Sequence, residues 1–124
     1  MRYWTLDEAT AALPHVREAV GRIRELVEAM QSSAEPNHAQ PSGNGQVPGT
    51  RSERSAELET LVGELTDQGI VVRDPARGLI DFPAQSPSGR EYLLCWLDGE
   101  DAIDWWHWPD AGFAGRTPLT SPPE

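Results

Sequence analysis

Residues 65–82 read LTDQGIVVRDPARGLIDF, and the apolar period changes within them. Upstream, Leu58, Leu61, Val62 and Leu65 recur at three- and four-residue spacing, the mark of one helical face. Gly69 is then well placed as the positive-φ residue that closes a helix. Downstream, Ile70-Val71-Val72 is a short β-branched run, Asp74-Pro75-Ala76-Arg77-Gly78 is a turn, and Leu79 to Phe82 is a second strand ended by Pro83. Helices that precede strands, rather than alternating with them, predict an α+β fold.

Toward the N-terminus, Thr5-Leu6-Asp7-Glu8 has the capping-box pattern, in which the Thr5 hydroxyl and the Glu8 carboxylate each take the other's backbone amide. Apolar residues follow at Leu6, Ala9, Leu13, Val16, Val20, Ile23, Val27 and Met30, a seam of alternating threes and fours. Pro14 removes one backbone bond within it, so a kink or break is expected there. Residues 31–52 hold three Pro, three Gly and almost no apolar side chains, and are expected to form a disordered linker. The second helix is expected from about Glu53 to Gln68. Two striped helices sharing that linker predict an antiparallel helical hairpin.

Toward the C-terminus, Ser86-Pro87-Ser88-Gly89 turns the chain into Glu91–Leu97, the strongest strand pattern. Asp98-Gly99-Glu100-Asp101 reads as a hairpin turn and Ala102–Trp108 as the returning strand. The expected architecture is a helical hairpin packed on an antiparallel meander of about four strands. Pairing Leu97 with Ala102 would put Tyr92, Leu94, Trp96, Ile103, Trp105 and His107 on one face. Cys95, Asp104 and Trp106 would then lie on the other. Residues 117–124 carry three Pro and are expected to be a flexible tail.

A chain of 124 residues with 38% apolar content suits a single domain, 1–124, with one core. Twenty acidic against ten basic residues give a net charge of −10, which argues against nucleic acid or an anionic membrane as partner, since both require a basic patch. All ten basic residues are Arg, so no lysine Schiff base or lysine general base is available. The single cysteine, Cys95, excludes an intrachain disulfide. No stretch approaches the ~18 apolar residues of a membrane span, and MRYWTLDEAT holds no signal-like apolar region, so a cytoplasmic location is expected.

The motifs Thr5-Leu6-x-Glu8-Ala9 with Leu13-Pro14, Gly78 to Ala84, Leu94-Cys95-Trp96 with Gly99-Glu100, Trp106-His107 and Asp110 to Arg116 follow one another in order. In these the chain resembles an uncharacterised prokaryotic family, domain of unknown function 2203. The resemblance covers the chain except for the linker and the tail. It departs at Trp108, where the family usually has an acidic residue, and at Arg73, where it usually has Lys. It implies no established activity.

Chemistry concentrates in residues 92–116, which hold four of the five Trp, the only Cys and His107. One reading is a transition-metal site for Zn, Fe or Mn, with ligands from His107, Asp81, Glu100 and Glu8, and Cys95 and Asp110 as further candidates. No HxxxH, CxxC or HExxH spacing is present, so the ligands must converge through the fold. Glu8 also has a role in the capping box. A metal-free variant is a pocket for a small planar or anionic molecule beside the 109–116 loop, with Trp96, Trp105 and Trp108 stacking, Arg116 or Arg77 as a two-pronged anchor, and Asp110 as a further binding candidate. An alternative is an interaction module that forms a homodimer through the first helix. Cysteine catalysis is disfavoured, since Cys95 and His107 would face opposite sides. No GxSxG or phosphate-binding loop exists.

Overall fold

The computed structural model describes residues 2–32 and 50–123. Helix α1 (Leu6–Ser32) and helix α2 (Arg51–Asp67) precede strands β1 (Val71–Asp74), β2 (Leu79–Gln85), β3 (Glu91–Leu97), β4 (Trp105–His107) and β5 (Thr117–Pro118). The five strands form one antiparallel sheet in sequential order, a meander beneath a helical hairpin. The α+β expectation holds, with one short strand beyond the four expected. Among the described residues no helix is long and apolar enough to cross a membrane.

The capping box closes α1 as the sequence predicts: Thr5 N–H donates to Glu8 Oε1 at 3.0 Å and Glu8 N–H to Thr5 Oγ1 at 3.1 Å. Trp4, just before the cap, is buried edge-on against Phe82 at 5.2 Å. The helix continues through Pro14 without a break. An identical box starts α2, where Thr50 and Glu53 exchange bonds of 2.7 and 3.1 Å. Residues 31–32 and 51–52, expected as linker, are therefore helical; the rest of that expected disordered segment, 33–49, lies outside the described residues. At the other end of α2, Gly69 takes φ 85° while Ile70 N–H donates to Leu65 O and Gly69 N–H to Thr66 O. That pair of bonds is the Schellman closure.

One face of the sheet carries Ile80, Phe82, Ala84, Leu94 and Trp96, each no more than 1% exposed, in one core with Ala9, Leu13, Val16, Val20 and Ile23 of α1. The middle of the α1 seam, Ala9 to Ile23, is thus covered by the chain's own sheet, while Leu6 at its start is 40% exposed. Arg22 spans to α2 through a two-pronged ion pair with Glu57, at 2.7 and 2.9 Å.

Three sequence expectations need correction. Strand β2 does not stop at Pro83 but runs to Gln85. The register with β1 reaches only Asp81, so Pro83 lies where the edge is open, and its carbonyl accepts Trp4 N–H there at 2.6 Å. The missing proline N–H points the same way and interrupts no ladder. Second, β4 is three residues long, and its register is Leu93↔His107, Leu94↔Trp106 and Cys95↔Trp105. This is one residue off the pairing of Leu97 with Ala102, and every β4 side chain changes face. Trp106 joins Leu94 on the helix-facing side, while Trp105 and His107 join Cys95 on the other.

Third, part of the expected flexible tail, 117–124, is tied to the sheet through Thr117 to Ser121. Thr117 and Pro118 pair with β4, Leu119 N–H donates to Asp104 O at 2.9 Å, and Trp106 Nε1–H donates to Ser121 O at 2.9 Å.

Candidate functional site

The sheet face turned away from the helices is also covered. Strand β2 is buried on both sides from Leu79 to Ala84. Beyond β4 the chain turns through Phe113–Gly115, and Arg116 reaches back over this face. The Arg116 guanidinium lies 5.0 Å from the Trp105 ring and 4.9 Å from Phe113, while Arg77 approaches Phe113 at 4.9 Å.

On that face the antiparallel register places Asp81 opposite Cys95, and His107 beside them on the next strand. All three are buried, at 0%, 0% and 2% exposure. One donor atom from each lies within 4.8 Å of the other two. His107 Nε2 stands 3.0 Å from Asp81 Oδ1, and Nδ1–H donates to Trp108 O at 2.8 Å. A carbonyl only accepts, so that bond fixes one ring proton on Nδ1 and aims Nε2 at the carboxylate. The remaining carboxylate oxygen, Oδ2, accepts from Arg73 Nε. Arg73 is 41% exposed and Asp81 not at all, so the pair links the buried cluster to the surface.

Burial pushes the Cys95 thiol up to about 12, reinforced by the Asp81 carboxylate and opposed by Arg116. Cys95 is therefore a closed, protonated thiol and no free nucleophile.

A second polar group adjoins the first. Arg116 grips Glu100 with two bonds, at 2.9 and 2.8 Å, and donates to Cys95 O at 3.3 Å. Glu100 also accepts Leu97 N–H at 2.9 Å. Burial alone would raise the Glu100 carboxyl, but the Arg116 hydrogen bonds, the Leu97 amide and the Arg116 charge hold it below its ordinary 4.5.

Of the residues singled out from sequence, the fold brings Asp81 and His107 together and adds Cys95, which the sequence register had placed on the opposite face. Glu100 instead pairs with Arg116, and Glu8 stays in its helix cap. Trp96 is a core residue at 0% exposure whose Nε1–H donates to Glu100 O at 3.1 Å. Trp105 lies under Arg116 and Asp110 is exposed in its loop. Sequence reasoning missed Arg73, because nothing local signals that a half-exposed strand residue reaches the Asp81 of its neighbour.

Fold and site define a two-layer α+β protein with a buried Asp–Cys–His cluster on the sheet face away from its helices. The chain belongs to the family described as an uncharacterized conserved protein, domain of unknown function 2203, which it matches over residues 2–119. No curated protein and no solved structure matches it. The family bears out the resemblance carried by the motifs and brings no activity with it.

Proposed function

We propose that this protein binds a metal ion at Asp81, Cys95 and His107. The observation that carries the reading is the convergence of three different ligand atoms, from three adjacent strands, within 4.8 Å in a buried site. Their outer contacts favour it. A metal-binding histidine usually donates its other ring N–H to a carbonyl or carboxylate, as His107 Nδ1 does to Trp108 O, leaving Nε2 for the ion. Bound carboxylates are likewise held from behind, as Arg73 holds Asp81. A cation would also replace the proton that Nε2 and Oδ1 need between them.

The burial suits a resident ion that ties β2, β3 and β4 together better than it suits substrate turnover. The organic-ligand reading loses its pieces to internal partners: Trp96 to the core, and Arg116 to Glu100 and Trp105. The test is elemental analysis of untagged, gel-filtered protein before and after incubation with divalent metals, beside His107→Ala. Near-stoichiometric metal that the variant lacks supports the reading. Wild-type protein that takes up none sinks it.

A further inference from the structure

We infer that the centre selects a thiophilic divalent cation of the zinc class, held in four-coordinate form with Cys95 as a thiolate ligand. This rests on the metal-binding reading above and specifies which ion the site takes and how.

The donor set argues first. One sulfur, one imidazole nitrogen and one carboxylate oxygen converge, since the second Asp81 oxygen is held by Arg73. Calcium and magnesium want about six or more oxygen ligands, and magnesium keeps several of its waters. Donors that are 0–2% exposed lie out of reach of bulk water, which disfavours a shell of several waters. Mixed sulfur and nitrogen ligation in a small shell selects zinc-like ions instead.

Geometry agrees. Tetrahedral bonds near 2.0–2.2 Å to nitrogen and oxygen put those ligands roughly 3.4 Å apart. Nε2 and Oδ1 stand at 3.0 Å, a few tenths of an ångström short of that separation, and Cys95 Sγ lies within 4.8 Å of both, so ligation draws the three side chains around the ion. Three protein ligands leave a fourth position for water or a small anion.

Charge closes the argument. A carboxylate and a thiolate together balance a divalent cation, so the ion and its buried ligands carry no net charge where one would be costly, and the remaining Arg73 charge is 41% exposed to solvent. As the metal–Sγ bond forms, the Cys95 S–H bond breaks, and its proton leaves to solvent together with the one shared by Nε2 and Oδ1. A bound cation deprotonates a coordinating thiol outright, so the inertness of the metal-free thiol does not oppose ligation.

The deciding experiment is titration of chelator-stripped protein with cobalt(II), followed by absorption, then challenge with excess magnesium and calcium. Intense visible bands of a four-coordinate ion, a near-ultraviolet thiolate-to-cobalt band and resistance to both hard cations are the expected result. Cys95→Ser should abolish the near-ultraviolet band and weaken zinc binding by more than the roughly 10–100-fold that outer-shell changes cost. Cobalt uptake without the thiolate band, or its displacement by magnesium, overturns this inference and leaves metal binding standing. Failure to take up either cobalt or zinc overturns both. The wild-type spectrum decides the matter, so the test survives a variant that does not fold.

Discussion

Replacing Asp81 by Ala and by Asn should give very different losses of stability in metal-free protein, although both remove the same charge. Beside the Cys95 thiol, Asp81 serves two further neighbours: Oδ2 accepts from Arg73, and Oδ1 faces His107 Nε2 at 3.0 Å. The imidazole cannot switch tautomer without giving up its 2.8 Å bond to Trp108 O. In Asp81→Ala, Nε2 is left buried without a partner, a cost of about 1–3 kcal/mol. The cavity left by the missing carboxylate adds about 1 kcal/mol. Arg73 is 41% exposed and can turn to water, so its loss adds little. The sum is about 3 kcal/mol, at the lower end of what breaking a buried pair usually costs.

Asparagine keeps the shape. Its amide oxygen can accept from Arg73 while its N–H donates to the Nε2 lone pair, so both contacts survive as hydrogen bonds and the loss should be about 1 kcal/mol. Urea denaturation at neutral pH, with chelator present, measures both. Equal losses in the two variants would refute the reasoning, since they would mean that charge rather than hydrogen-bond pattern holds the cluster. The same Asn variant should bind metal far more weakly, because a neutral amide is a poor ligand. It therefore separates the folding role of Asp81 from its proposed role toward an ion.

Further predictions rest on separate parts of the molecule. Gly78→Ala should cost about 3 kcal/mol, read as a lowered Tm: its φ of 75° disfavours a side chain, and a Cβ would sit 2.7 Å from Asp98 Cβ and 2.9 Å from Val20 Cγ1. Cys95 should resist thiol reagents in folded protein and react only on unfolding, since it is 0% exposed and its thiol is pushed up to about 12; rapid labelling of native protein by a disulfide reagent would contradict that. Glu100 is held below its ordinary 4.5, so its contribution is full above that pH and is lost as pH falls through the depressed value. Glu100→Gln should accordingly lower stability at neutral pH and flatten its decline on acidification, as followed by urea midpoints across the acid range.

How far the sequence carries depends on whether a signal is local. The Thr5 box, the α1 seam and the Gly69 closure each lie within a few residues, and each is where periodicity puts it. The Thr50-Arg51-Ser52-Glu53 box is the same signal, yet the Pro- and Gly-rich composition around it hides the start of α2. Pro83 looks like a strand end because the shortness of β1, which leaves that edge open, cannot be read from β2 itself. The pairing of Arg116 with Glu100 is likewise invisible, since Asp110 is nearer in sequence and equally acidic.

The candidate site fails to appear in the sequence for a sharper reason. Asp98-Gly99-Glu100-Asp101 resembles a tight turn, but seven residues, 98–104, separate β3 from β4. One long-range and two local contacts hold this loop out of the ladder: Arg17 of α1 donates to Asp101 O at 3.0 Å, Trp96 Nε1–H donates to Glu100 O at 3.1 Å, and the Glu100 carboxylate returns to Leu97 N–H. Pairing resumes only at Trp105, one residue out of step with a tight hairpin. Because side chains alternate with a period of two, that single residue moves His107 from the core face to the face of Asp81 and Cys95. A strand of three residues cannot supply the missing parity from its own pattern, since Trp105, Trp106 and His107 suit either face. The cluster on which a metal-binding role depends is thus set by the least periodic segment of the sheet, through contacts made with a helix some eighty residues earlier in the chain.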